Sequence, residues 1–258
     1  MKLVVKAGGQ AADDAKVRRG LARQIAALRR SGHDVLMVHG GGKRLTEALA
    51  RLGIPTEFEN GLRVTDQATR DVAVMVLAGI VNKEWVAEIE GQGQAALGVC
   101  GGDGRLVEVR KPTGGGRRDL GYVGRPSRVN TGLLEMAFAR RMVPVVASVA
   151  LGPRGEYYNV NADDFAVALA NALPADRLIY VTESGGVWDA EQRLLREVRV
   201  NAIRPMIRKG IVRNGMIPKL LSCAKALRGP VTEIDMVAPE ALLRVIEGRG
   251  EHGTRIVK

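Results

Sequence analysis

Cysteine, histidine, aromatic residues and long apolar runs are all scarce in this 258-residue chain. Only Cys100 and Cys223 are present. Two thiols cannot build a zinc site, and so few in a chain of this length fit a reducing compartment, so a cytoplasmic location is expected. His33, His39 and His252 are scattered, which argues against a histidine-based metal centre. Aromatic residues amount to 3%, leaving few platforms on which single-stranded bases could stack. The apolar runs at residues 3–5 and 143–151 end or break within about half of the roughly 20 residues that a membrane span needs. The N-terminus enters Leu-Val-Val-Lys-Ala-Gly-Gly directly, without an apolar stretch and small-residue cleavage site, so secretion is not expected.

What is there reads as globular: 46% hydrophobic and 26% charged residues. The length suits one large α/β domain, or two lobes sharing a sheet. The net charge of +11 permits nucleic acid, an acidic partner or an anionic substrate. The arginines are spread along helix-like stretches, so solvated basic faces and no nucleic acid are expected. Glycine is the more informative excess, with 32 residues gathered in pairs and triplets.

The opening alternates strand and helix. Residues 2–6 form a β-prone run ended by Gly8-Gly9, and Asp13-Asp14 supply a cap for a helix through Leu21, Ile25 and Leu28. Residues 34–39 form a second strand, followed by Gly40-Gly41-Gly42 and a helix carrying Leu45, Leu49 and Leu52. This order predicts a parallel sheet covered on both faces. Further on, a helical stretch over 66–90 is expected to break near Gly79. Strands are expected at 95–99, 106–111, 122–125, 143–149, 178–182 and 233–237. Helices are expected at 131–141, 163–172, 200–209 and 219–227. Pro174 marks the lobe boundary.

Two phosphate-binding motifs fail. Gly42-Lys43 resembles the end of a Walker A loop, but Met37 and Arg44 stand where that loop needs glycine and a hydroxyl residue. No Gly-x-Gly-x-x-Gly follows the first strand, which weakens a dinucleotide fold.

Other segments carry more. Lys6 sits at the C-terminal end of the first strand beside Gly8 and Gly9, where open parallel sheets bind ligands and glycine lets backbone N–H groups approach an anion. The bland alternative is a surface lysine next to a turn. His39-Gly40-Gly41-Gly42 repeats the design, with a helix N-terminus that favours phosphate. In an extended segment Asn159 and Asn161 lie on one side and suit a carboxylate or amide ligand. Asp163 opens a helix and serves equally well as its cap. Lys219 lies in the first turn of another helix, against the helix dipole, which points to an anionic partner. Lysine makes up only 10 of the 39 basic residues, so its use at positions 6 and 219 reads as a chemical choice. Arg63, in Gly61-Leu62-Arg63-Val64-Thr65, is of the type that binds carboxylates in bidentate fashion.

Taken in order, these segments resemble the amino acid kinase superfamily and, within it, the acetylglutamate kinases. The resemblance rests on residues 6–9, 39–42, 61–65, Val81-Asn82-Lys83, Gly102-Asp103-Gly104, residues 119–124, 159–163, 182–187 and 215–219, and covers nearly the whole chain. It implies an open αβα sandwich with a mainly parallel central sheet. Residues 1–173 would form an N-terminal lobe for acetylamino-acid binding and dimerisation, and residues 174–258 a C-terminal lobe for ATP. The implied reaction is ATP-dependent phosphorylation of the side-chain carboxylate of N-acetyl-L-glutamate to N-acetyl-L-glutamyl 5-phosphate, a step of arginine biosynthesis.

By the family pattern, Lys6 and Lys219 stabilise the transferring group and Asp163 organises them. Gly8 and Gly9 supply backbone donors to the transition state. Gly41, Gly42, Arg63, Asn159 and Asn161 bind the acylated amino acid. Thr182, Glu183, Gly185, Gly186, Ile211 and Arg213 bind the nucleotide. Mg²⁺ would be held mainly by the nucleotide, without protein side-chain ligands. The region 106–124, with Gly114-Gly115-Gly116 at its tip, is expected to act as a lid. Three positions depart from the pattern: Ala7 replaces a larger apolar residue, Gln10 stands for Ser or Asn, and Glu183 for Asp. Because the chain starts at its first strand, a homodimer without arginine control is expected. Competing readings are a kinase acting on α-aminoadipate or glutamate held on an acidic carrier protein, which the +11 charge would suit, and a non-catalytic metabolite sensor with the same fold.

Overall fold

Alternation along the first strand sets the architecture. The computed structural model describes residues 1–9, 13–59, 61–112, 119–213, 215–249 and 252–258. In β1 (Lys2–Ala7), Leu3, Val5 and Ala7 face one side while Val4 and Lys6 face the other, and all but Lys2 are buried. A strand buried on both faces needs layers on both, which the helices supply.

The chain continues through α1 (Ala15–Arg30), β2 (Asp34–His39), α2 (Gly42–Arg51) and the hairpin β3 (Phe58–Glu59) and β4 (Leu62–Arg63). Next come α3 (Gln67–Ala73), a π-helical stretch Val74–Val81, α4 (Asn82–Glu90) and β5 (Ala96–Cys100). Then follow β6 (Val107–Arg110), β7 (Val123–Val129), α5 (Gly132–Ala139), β8 (Val143–Ala147), β9 (Val149–Leu151), β10 (Tyr157–Val160) and α6 (Ala162–Ala172). The remainder is β11 (Arg177–Val181), β12 (Val187–Trp188), β13 (Leu194–Leu195), β14 (Glu197–Arg199), α7 (Val200–Arg208), α8 (Met216–Ala226), β15 (Glu233–Val237), α9 (Leu242–Ile246) and β16 (Thr254–Val257).

Eight strands form the central sheet in the order β14-β16-β15-β11-β1-β2-β8-β5. Every pairing in it is parallel except β15 with β16. One core layer packs Leu3 and Val5 against Leu21 and Ile25 of α1 and Leu45 and Leu49 of α2. The other packs Val4 against Phe165 of α6 and Leu220 of α8. The chain leaves β1 toward β2 on one side, and β11 toward β15 on the other. The crevice beyond the carboxyl ends of β1 and β11 is therefore a topological switch point, where open α/β sheets bind ligands. A smaller closed sheet, β10-β7-β6-β9, stands beside it and pairs Asn159 with Val123.

The structure revises several expectations. Helix runs without a break from Gln67 to Glu90; the stretch around Gly79 widens into π-helix and does not stop there. The run 143–149 is two strands in two sheets. Ser148 turns the chain between them, with its N–H on the His39 carbonyl at 3.3 Å and its own carbonyl receiving Val160 N–H at 3.0 Å. The helix around Lys219 starts at Met216, and Lys219 remains in its first turn. The central sheet crosses the boundary at Pro174 through the β1–β11 pairing. Gln10 and the glycine tip at 114–116 lie outside the described residues. Among the described residues, no helix is long and apolar enough to cross a membrane.

Candidate active site

Lys6 and Lys219 meet at one carboxylate. The parity of β1 turns Lys6 toward α6, where Asp163 lies in the first turn. Asp163 Oδ1 is 2.7 Å from Lys6 Nζ, and its Oδ2 is 2.9 Å from Lys219 Nζ. Asp163 is not the helix cap. Asn161 takes that role, its Oδ1 accepting from the Asp163 and Asp164 N–H groups at 2.9 and 3.1 Å. This leaves the Asp163 side chain to bridge the lysines.

Both Lys6 and Asp163 are buried, 7% and 6% exposed. Burial by itself would push the Asp163 carboxyl up; Lys6 and then Lys219 outweigh it and hold the group at about 2. The Lys6 ammonium is displaced below its ordinary range, first by burial and then by Lys219, against the pull of Asp163. One carboxylate between two lysines leaves a net positive centre with N–H groups to spare, as a phosphoryl group requires.

The surrounding backbone is shaped for close approach. A Cβ at Gly8 would lie 2.5 Å from Lys6 Nζ, so glycine is what lets the ammonium settle over the strand end. Gly41 has φ 154°, and a Cβ there would stand 2.9 Å from Leu77 Cδ2. It precedes α2, whose first amides are free of side-chain caps. At Gly9, a Cβ would stand 2.7 Å from a Glu183 carboxylate oxygen, which places the Glu183 side chain against Gly9 at the switch-point crevice.

These groups share a cavity of about 260 Å³, walled by Lys6, Gly8, Gly41, Asn159, Asp163 and Lys219 among others. Gly9, Gly42, Arg63 and Asn161 also reach it. Arg63 is 6% exposed and strongly held. Its Nη2 donates to the Gly42 carbonyl at 3.0 Å and Thr46 Oγ1 at 2.8 Å, its Nη1 donates to Thr56 Oγ1 at 3.2 Å, and its guanidinium lies 4.7 Å over the Phe58 ring. Arg63 thus ties the β3–β4 hairpin to the start of α2. Leu45, Leu62, Leu77 and Val123 give the cavity an apolar wall. Those residues sit in ordinary amphipathic patterns, so nothing in the sequence distinguished them from core.

The residues expected at the nucleotide are placed in two groups. Thr182, Glu183, Gly185 and Gly186 form the turn after β11, where Thr182 N–H bonds Val237 O at 2.8 Å and Ser184 Oγ donates to Gly186 O at 2.9 Å. Ile211 and Arg213 lie on the loop from α7 to α8, where Arg213 Nε donates to Gly210 O at 2.7 Å. Among the described residues, the walls of the 260 Å³ cavity include none of these six. The structure therefore brings together in one cavity the residues expected at the phosphate and at the acyl acid, and places the six expected at the nucleotide on other loops.

Residues 1–237 match the model of the amino acid kinase family. The chain belongs to the amino acid kinase family. An acetylglutamate kinase of Koribacter versatilis is 44% identical over 260 residues, covering all of this chain and 99% of the relative. One of Bartonella tribocorum is 42% identical over 267 residues, covering 99% of this chain and 89% of the relative. Among solved structures, smu.665 from Streptococcus mutans matches with a TM-score of 0.85 at 26% identity, over 99% of this chain and 98% of that one. Membership of the amino acid kinase family agrees with the mainly parallel sheet and with the switch-point position of the lysines.

Proposed function

We propose that this chain is an acetylglutamate kinase: it transfers the γ-phosphoryl group of ATP to the side-chain carboxylate of N-acetyl-L-glutamate, giving N-acetyl-L-glutamyl 5-phosphate and ADP. The observation that carries the reading is the convergence of Lys6 and Lys219 on Asp163 beside the glycine turns at 8–9 and 40–42.

The chemistry needs little covalent help. A carboxylate oxygen attacks the γ-phosphorus while the bond to the β–γ bridging oxygen breaks, and no proton has to move. Catalysis is then positioning and charge stabilisation. Lys6 and Lys219 neutralise the charge that spreads over the transferring group, and Asp163 keeps two ammoniums together that would otherwise repel. Amides of Gly8, Gly9, Gly41 and Gly42 add donors that carry no rotatable side chain. Arg63 and Asn159 orient the acylated amino acid, with Asn161 at the rim, and the apolar wall takes its hydrocarbon part. Thr182, Glu183, Gly185, Gly186, Ile211 and Arg213 hold the nucleotide, which assigns acyl-acid binding to residues 1–173 and ATP to residues 174–258. The spare lysine N–H groups fit a nucleotide phosphate that carries its own Mg²⁺, an ion that would offset phosphate charge while Lys6 and Lys219 hold the transferring group.

A homodimer through the N-terminal lobe is part of this reading, supported by Leu52, Met75 and Ile80, which stand exposed near α2 and the π-helical stretch. The buried, unpaired Cys100 and Cys223 suit a reducing cytoplasm. The test traps the acyl phosphate with hydroxylamine, using MgATP and either free N-acetyl-L-glutamate or α-aminoadipate and glutamate attached to an acidic carrier protein. Hydroxamate from the free acid is the expected result. Product from the carrier-bound substrates alone would reverse the assignment.

A further inference from the structure

His39 ends β2 and leads into Gly40-Gly41-Gly42, yet the chemistry above does not use it. Its side chain is fully buried. Nδ1 lies 2.9 Å from the Gly40 carbonyl oxygen, and Nε2 lies 3.1 Å from Asn82 Nδ2. Asn82, the first residue of α4, is also fully buried. Its Nδ2 is 2.9 Å from Val145 O and 3.2 Å from Val99 O, while its Oδ1 receives Lys83 Nζ at 3.2 Å.

These contacts determine where the ring proton sits. Carbonyl oxygens of Val145 and Val99 only accept, so the Asn82 atom facing them is the amide nitrogen, a donor. The same nitrogen, with two hydrogens to share among Val145 O, Val99 O and His39 Nε2 and no lone pair to offer, faces Nε2, so Nε2 is the ring nitrogen without a proton. The proton is on Nδ1 and is donated to Gly40 O. Burial pushes His39 down to about 4, so the ring is neutral at pH 7. Protonation would also set an Nε2–H against the Asn82 amide hydrogens.

The bond to Gly40 O has a geometric consequence. A trans peptide is planar, so fixing the direction of the Gly40 carbonyl fixes the opposed direction of the Gly41 N–H. Glycine at 40, 41 and 42 leaves that peptide free to rotate unless something outside the loop holds it. Asn82 in turn ties the ring to the carbonyls of β5 and β8, the rigid part of the sheet. We propose that His39 and Asn82 are positioning residues, a relay from the sheet that aims the Gly41 amide into the cavity shared with Lys6 and Lys219. This rests on the kinase reading, in which that amide meets the substrate.

The test separates the two halves of the relay. In His39→Asn the side-chain amide reaches about as far as Nδ1 and keeps a donor for Gly40 O. His39→Gln reaches about as far as Nε2, keeping the contact with Asn82 and losing the donor. His39→Leu loses both. With MgATP and N-acetyl-L-glutamate, kcat of His39→Asn is expected within about threefold of the unaltered enzyme. The Gln and Leu variants should lose about 10- to 100-fold, with KM for MgATP within about twofold. Equal losses in the Asn and Leu variants, or near-normal kcat in Gln and Leu, would overturn the proposal. A long-range ¹H–¹⁵N spectrum of the unaltered protein at pH 7 needs no variant to fold: it should show a neutral His39 ring protonated on Nδ1. A proton on Nε2, or a charged ring, would also overturn it. Absence of turnover in the unaltered enzyme would instead sink the kinase reading, while the ring spectrum still judges the His39–Gly40 bond.

Discussion

Replacing Asp163 with asparagine keeps the side-chain shape and removes the carboxylate that Lys6 and Lys219 share. The trio then passes from a net charge of +1 to +2 in a setting where Lys6 and position 163 are nearly closed to water. Two routes give the size of the effect. The fall of the Asp163 carboxyl from 3.8 to about 2 corresponds to a net stabilisation of about 2–3 kcal/mol, after its burial has been counted. Removing one partner of a buried ion pair typically costs about 3–5 kcal/mol, because the other charge is left uncompensated. A loss of about 3 kcal/mol is therefore expected at pH 7, equivalent to a fall in Tm of about 10 °C for a chain of this size. Urea denaturation of the two proteins, read at equal slope, measures it. The pH dependence checks the cause. A lysine whose folded-state pKa is depressed sheds its proton on folding below its ordinary range, so stability rises with pH in that window. Without Asp163, Lys6 is depressed further, and the gap between the proteins should narrow as pH climbs from 7 toward 9.5. A variant within about 1 kcal/mol of the original at pH 7, or a gap that widens on the alkaline side, would refute this account of the centre.

Three other outcomes follow from the same geometry. Lys219→Ala should lower kcat at least about 100-fold and change KM for MgATP only a few-fold, measured by coupled ADP release; unchanged turnover would remove Lys219 from the mechanism. The kcat/KM profile should fall on its alkaline side with a midpoint below 10.5, because Lys6 must keep its proton and burial lowers its pKa; in Lys6→Arg any residual activity should lack that limb, and an unchanged limb would assign it elsewhere. Asp235 is buried at mid-strand in β15 and is pushed up to about 6, by burial first, despite Arg177 and Arg255 nearby. A carboxyl raised in the folded state costs stability progressively as pH rises from about 3.8 to about 6, so Asp235→Asn should gain stability relative to the original between pH 4 and pH 7, by at most about 3 kcal/mol. Calorimetry showing the difference shrinking over that interval would contradict the placement.

Much of the fold is local in origin and was legible in the chain. The strand–glycine–helix units at β1 and β2 follow from apolar runs of strand length, from the Asp14 cap and from helical spacing of Leu21, Ile25 and Leu28. The short strands β3, β4, β9, β10, β12, β13, β14 and β16 were not, because two to four residues carry little period; pairing makes them strands, across a short turn for β3–β4, β9–β10 and β12–β13 and with a distant segment for β14 and β16. Ser148 shows the same limit: an unbroken apolar run is divided between two sheets by hydrogen bonds to His39 and Val160.

The site divides in the same way. Residue type and position on the chain were enough to single out Lys6, Lys219, Asp163 and the glycine turns, since a lysine at a strand end and glycines before a helix are local features. Asp163 admitted two roles in the sequence, helix cap or site residue, and only packing decided between them: Asn161 accepts the free helix amides, and Asp163 is left to face β1. The link from Asn82 through His39 to Gly40 joins residues 43 positions apart and has no signature in either segment alone. Composition and short-range pattern therefore determined which groups this protein has for handling an anion. Tertiary structure decided which of them meet, because a salt bridge or hydrogen bond depends on a few ångströms that only the packed sheet and its helices define.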